Sequence, residues 1–460
     1  MNDRHSLRRT VVKEAMENWQ KISLILCAYG ILKEFRPSEP FVTKYLNNPP
    51  MNFTDEQISY SIYPVSIYSS MILLIFVFLI TDFLRYKPII ILDSIAGIVV
   101  FAMLIICRSL FLVQVLEVFY GLFTACEVAY YTYIYAKVDK EHYQEVSSHT
   151  RASYLIGRAL SGILSQILVS TGFSYLSLNY FTLGGMILSL VWACILPTVS
   201  SSIYFHSSSG KVITKGNHNE NVQNGQIKEK DNEKQEINSS LQGFQLLWTD
   251  FKVAFTDTYV LKWAFWWALA TCGYYQILAY IQLLWEEILM GRDTEYYTKL
   301  NGAVEAIYTL MSAMAAFAFG KIKINWSLYG EPVLFLCSIA IGLIVLLMSQ
   351  TTLILVAYVT YIAYTIIYNS MITIANSEMA KNVNPDSYGL IFGFTLFVAL
   401  VLQTILTAVV VHLFNLSARK QFEIYSCYFC FLGLIFGIKT VNQFVKWCYR
   451  KRRDVGSISA

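Results

Sequence analysis

The sequence predicts an all-α polytopic membrane protein with twelve transmembrane helices, and three observations carry that prediction. Of its 460 residues, 55% are hydrophobic and only 14% charged, where a soluble domain is typically about 25% charged. The apolar residues lie in blocks of about 20, long enough to cross about 30 Å of hydrocarbon as helices whose backbone polar groups are satisfied internally. One hydrophilic interval, about 200–250, divides these blocks into six and six.

A basic segment over 1–18 (Arg4, Arg8, Arg9, Lys13) precedes the first block. No short apolar core with a small-residue cleavage site follows it, so no signal peptide is expected. Spans are then expected at 19–36, 61–84, 88–107, 110–137, 149–171 and 176–199, an N-terminal half over 19–199. The stretch "GKVITKGNHNENVQNGQIKEKDNEKQEINSS" has few large apolar residues. It lacks the apolar surface needed to fold, and 200–250 is expected to be a disordered cytoplasmic linker. Spans at 258–289, 300–321, 328–349, 351–376, 387–413 and 421–446 form a C-terminal half over 251–446, and a basic cytoplasmic tail over 447–460 ends the chain. This 6+6 layout is that of a major-facilitator-type carrier, whose halves rock about a site near the bilayer midplane. The layout alone names no substrate.

The net charge of +4 is small and sits in loops and tails, which speaks against nucleic acid as a partner. Basic residues set the orientation. With both termini inside, the cytoplasmic connections hold Arg85, Lys87, Lys137, Lys140, Lys321, Lys323, Lys381 and the tail bases. Fewer lie opposite: Arg36, Lys44, Arg292, Lys299, Arg419 and Lys420. The sequons at Asn52 and Asn415 then fall outside, where glycosylation is expected, while those at Asn238 and Asn325 fall inside and stay bare.

Charge inside a span costs about 2.5–3.5 kcal/mol even on insertion scales, so it marks function by default. The fourth span, "EVFYGLFTACEVAYYTYIY", contains Glu117 and Glu127. At about 100° per residue, Tyr120, Thr124, Glu127 and Tyr131 lie within about 80° of Glu117, one polar aromatic face. Either glutamate is also open to a structural role, paired with a loop base or closing a gate. Rings beside carboxylates suit a cation. The seventh span repeats the theme with Trp263, Trp266, Trp267, Tyr274, Tyr275, Tyr280 and Trp285, about half of them expected to pack or to lie at the membrane interface. The eighth places Asn301 and Glu305 on one helix face, where Asn301 either hydrogen-bonds a heterocycle or caps the helix. For Arg158 two readings stand: it neutralises Glu127 on the neighbouring helix, or it grips an anionic group bidentately.

No Walker loop, GxGxxG, HExxH, GxSxG or Ser/His/Asp grouping occurs, so neither ATP-driven transport nor catalysis is expected. The six histidines have no metal-ligand spacing, and of nine cysteines most sit in apolar blocks as small packing residues. No metal or cofactor is expected.

The motifs "RPSEPFVTKYL", "TDFLRYKPIIIL", "LEVFYG", "CEVAYYTYIY", "HYQEVSSHTRA", "WWALATCGYYQILAYIQLLWE", "NGAVEA" and "YGLIFGFTLFVALVLQTILT" follow one another from about residue 20 to 440. In order and spacing they resemble the reduced folate carrier and thiamine transporter family. The resemblance implies a secondary-active carrier of a water-soluble vitamin at the plasma membrane. Its partners would be the vitamin, membrane lipid, and either protons or exchanged anions.

The family's folate carriers place bases where this chain has Glu127, Thr365 and Gln403, so that cationic cluster is absent. Its thiamine transporters are similar to this chain at Glu127 and Gln403. Carried over, their site implies Glu117, Tyr120, Glu39 and Asn301 as contacts for the thiazolium and aminopyrimidine of thiamine. Two positions depart from that pattern. Ser66 stands where a Trp is expected, leaving Tyr63 to supply a ring, and Arg158 replaces an aromatic. A base at Arg158 resembles an invertebrate folate carrier that keeps the glutamate. Thiamine transport is therefore expected, with folate transport through Arg158, or a non-transporting receptor or scaffold, as alternatives.

Overall fold

The computed structural model describes residues 19–138, 142–199, 248–249, 251–290, 300–321, 324–383 and 388–458. Twelve long helices run through them. The first half comprises α1 (19–34), α2 (Tyr63–Phe83), α3 (Lys87–Ile106), α4 (Leu110–Lys137), α5 (Tyr143–Ser170) and α6 (Tyr175–Ile195). The second comprises α7 (Thr258–Leu289), α8 (Asn301–Lys321), α9 (Trp326–Gln350), α10 (Ile354–Lys381), α11 (Tyr388–Thr407) and α12 (Ala418–Ile458). Nine apolar stretches among the described residues are long enough to cross a membrane; α1, with 16 described residues, and the more polar α7 and α8 are not among them.

Helix ends follow local chemistry. α1 stops at residue 34 and not at the expected 36, because Pro37 turns the preceding residue away from helical geometry. A 3₁₀ turn (Glu39–Phe41) and a short helix (Val42–Asn47) follow. Thr54 and Gln57 form a capping box, and a π turn over Ile58–Ile62 leads into α2. α11 ends in a second π turn, Ala408–Leu413. α5 starts six residues before its predicted boundary at 149, and α12 continues as helix to Ile458 through most of the expected tail at 447–460. The segment 1–18, nearly all of the 200–250 linker, and Lys140, Arg292, Lys299 and Lys323 lie outside the described residues.

The two halves meet where α2 packs on α11 and α5 on α8. At the α5–α8 crossing two glycines let the backbones touch. A Cβ on Gly162 would stand 2.6 Å from the Ala306 nitrogen, and one on Gly302 would stand 2.8 Å from the Gly162 oxygen. Helices approach this closely only through small residues. Asn52 and Asn415 are both exposed, at left-handed φ of 55° and 47°, a conformation asparagine tolerates well.

Candidate functional site

Small residues bring α2 and α4 together beside Glu117. A Cβ on Gly121 would meet Ser70 N at 2.8 Å, and the Thr124 hydroxyl lies 2.7 Å from that of Ser70. Thr124 is thus spent on the α2 contact and not on the interior. Glu117 is 9% exposed, with the Ser66 hydroxyl as its polar neighbour, so the position lacking the expected indole holds a small hydrogen-bonding group. Two residues of the expected face, Glu127 and Tyr131, are half-buried, in electrostatic reach of one another and of Tyr154.

The end of α1 supplies charges whose arrangement periodicity alone does not reveal. Arg36, placed among the loop bases by the sequence, is buried. Its Nη2 donates to Glu34 Oε2 at 2.5 Å and its Nη1 to Glu39 Oε1 at 2.5 Å. Tyr120 donates its hydroxyl to Glu39 Oε1 at 3.2 Å, joining two of the expected site residues. Lys33, next to Glu34 in sequence, turns the other way to Asp93 on α3, 2.9 Å distant, and Tyr29 also donates to that carboxylate at 2.8 Å. Lys33 and Arg36 both lie over the Phe123 ring, at 5.1 and 5.3 Å.

Arg158 does not pair with Glu127. Its partner is Glu305 on α8, with Nε donating at 2.7 Å and Nη2 lying 2.6 Å away, while Tyr308 donates to the same oxygen at 2.9 Å. Glu305 was expected to share a face with Asn301; helix phase could not show that α5 lies opposite that face. Truncating one partner of such a buried pair strands the other at a cost of about 3–5 kcal/mol. Arg158→Ala is therefore expected to lose most uptake and surface protein. The exchange Arg158→Glu with Glu305→Arg is expected to restore surface level above either single variant, as read by cell-surface biotinylation.

Arg151 is the base without a carboxylate among the described residues of this region. It donates to Asn369 Oδ1 at 2.9 Å and lies over the Tyr154 ring at 5.2 Å. Across from it Tyr274 and Tyr368 stack at 4.0 Å, 6° from parallel. Trp263 and Trp266, by contrast, are wholly buried, Trp266 donating to Ser338 at 3.0 Å, and belong to packing. Thr365 returns its hydroxyl to carbonyls of its own helix. In this interior six carboxylates (Glu34, Glu39, Asp93, Glu117, Glu127, Glu305) face four bases (Lys33, Arg36, Arg151, Arg158). Glu117 and Glu127 form no ion pair with a described base, so carboxyl groups outnumber bases here by two.

The remaining predicted residues bind protein groups at the end of the bundle opposite the termini. Asn301 donates to the Pro40 oxygen at 3.0 Å and accepts from Tyr358 at 2.9 Å. Tyr63 shares a 2.6 Å hydrogen bond with Thr43. Gln282 donates to the Glu39 backbone carbonyl at 2.8 Å and accepts from Thr43 N at 3.2 Å. Lys44 reaches Glu286 at 3.4 Å, and the two π turns touch. These links tie the segment after α1 to α7 and α8, latching the halves at that end.

A family profile described as "Reduced folate carrier" matches residues 17–424. Thiamine transporter 1 of Mus musculus is 39% identical, the match covering 96% of this chain and 93% of that protein. Folate transporter 1 of Caenorhabditis elegans is 37% identical over 91% of each. Among solved structures, the nucleoside transporter NupG superposes with TM-score 0.56 at 11% identity, covering 91% of this chain and 98% of that one. A bacterial homolog of the lysosomal transporter Spinster gives TM-score 0.59 at 10% identity, covering 93% and 98%. The structural likenesses establish the twelve-helix, 6+6 major-facilitator-type fold.

Proposed function

Because the chain belongs to the reduced folate carrier family, we propose that it is a vitamin transporter that carries thiamine across the plasma membrane by alternating access. The observation that carries this reading is the excess of interior carboxyl groups over bases, with Glu117 and Glu127 in no ion pair with a described base. Thiamine has a permanent thiazolium charge and flat rings, and a cation between carboxylates and aromatic faces is attracted by both. Glu117 would be the counter-charge and Tyr120 with Glu39 the adjoining wall. Asn301 and Tyr63 would become available to substrate only when the latch at their end opens, and release of that latch would expose Glu117 from the other side. With both termini in the cytoplasm, the latched end is extracellular, and Asn52 and Asn415 are glycosylated there.

Arg151 favours a second reading, a reduced folate carrier. With Arg158 held by Glu305, Arg151 is the guanidinium left to receive an anionic tail. Uptake of labelled thiamine and reduced folate, side by side in cells lacking their own carriers, separates the two. Thiamine uptake with no folate uptake is the expected result. Folate uptake lost in Arg151→Ala would overturn it, and transport of neither vitamin by protein at the cell surface would point to a receptor or scaffold. Running the assay at acidic and alkaline external pH divides proton coupling from anion exchange.

A further inference from the structure

We propose that Glu34 is a positioning residue that sets the selectivity of the site for a cationic vitamin, acting through Arg36. The inference rests on the thiamine reading and extends it to a residue outside the substrate wall.

Glu39 is the wall carboxylate nearest Tyr120. Left alone with Arg36, its charge would be cancelled three residues away in sequence, and the wall would present a neutral pair. Glu34 prevents this. Its side chain is 2% exposed and takes the second arm of the guanidinium, so Arg36 is divided between two carboxylates at equal 2.5 Å distances. The group Glu34–Arg36–Glu39 therefore has one net negative charge, and Glu39, whose side chain is 22% exposed against 2% for Glu34, is the member turned toward the interior. A buried charge interacts through a low effective dielectric, so this redistribution is felt strongly by a nearby ligand.

The geometry is fixed from outside the trio. Ser161 on α5 accepts from the Arg36 backbone N–H at 2.6 Å and donates to the Glu34 backbone carbonyl at 2.9 Å. Gly157, one turn earlier on α5, lies so close that a Cβ there would stand 2.8 Å from Glu34 Cβ. Phe123 covers the guanidinium from below at 5.3 Å. Lys33 makes its ion pair with Asp93 at 2.9 Å, and feels Glu34 only through space. The arrangement favours a cation and disfavours an anion at one wall without Glu34 touching either.

Equilibrium binding of labelled thiamine to purified full-length protein tests this, with a displacement series using an uncharged thiamine analogue. Glu34→Gln is expected to raise the thiamine Kd by about tenfold, a loss of one shared charge, while changing analogue affinity less than twofold. Glu34→Asp should recover most of the affinity. In an Arg36→Gln background, Glu34→Gln should have no further effect, since the group through which it acts is gone. A normal thiamine Kd in Glu34→Gln, or an equal loss for thiamine and analogue, would overturn the positioning role and leave the thiamine reading intact. Absence of thiamine binding by the wild type would remove both. If Glu34→Gln fails to accumulate, Arg36→Gln, which leaves both carboxylates without their base, decides the matter: a change in thiamine affinity that the analogue does not share sustains it, and parallel changes overturn it.

Discussion

Glu117→Gln is expected to weaken thiamine binding about 100-fold while leaving the protein at the cell surface. The size follows from the environment. Glu117 is buried and has the Ser66 hydroxyl and no described base beside it, so its carboxyl group is not already paired within the protein and is left to answer a bound cation. Removing one member of a desolvated, hydrogen-bonded charge pair typically costs about 2–5 kcal/mol, of which about 2.7 kcal/mol is 100-fold. Glutamine keeps the shape and the hydrogen bond to Ser66, so folding should survive. The decisive comparison is the KM for thiamine against the inhibition constant of an uncharged analogue: only the first should rise. An unchanged thiamine KM would remove Glu117 from the site.

A second large effect is expected from Gly162→Leu. Any side chain here meets the Ala306 nitrogen at 2.6 Å and the Gly302 oxygen at 2.7 Å, backbone atoms that cannot swing aside. Overpacking of this kind costs about 1–3 kcal/mol, and about 3 kcal/mol shifts a two-state equilibrium more than 100-fold. If α5 and α8 part at this crossing when the latch opens, the cost falls on the latched state alone. Uptake should fall to background while thiamine still binds from the outside at 4 °C. Uptake within twofold of wild type would show that the crossing opens without passing through this contact.

Much of the fold was legible because a membrane span has only one way to satisfy its backbone, and block length reports it. The boundaries that moved did so for local reasons: Pro37 shortens α1, and a polar first turn lengthens α5. Within the interior, helical phase gave the face holding Tyr120, Glu127 and Tyr131, yet could not tell which helix that face meets. Thr124 is in phase with Glu117 and nevertheless serves the α2 contact. Arg158 finds Glu305 and not Glu127, a partner 147 residues distant in sequence. Arg36 read as a loop base because it lies past the end of α1, and Lys33, Glu34 and Asp93 show no periodicity that would single them out. Charges of opposite sign on separate helices become a pair only once the neighbours are known.

The Lys33–Asp93 contact also bears on how the chain is made. Each group enters the bilayer on its own helix, at about 2.5–3.5 kcal/mol near the centre of a span, and 60 residues separate them. α1 thus reaches the insertion machinery with Lys33 beside Glu34 but without Asp93, which follows only when α3 has been synthesised. The first three helices are therefore expected to become stable together and not one by one, and substitution at Lys33 or Asp93 is expected to be felt first as a failure of biogenesis.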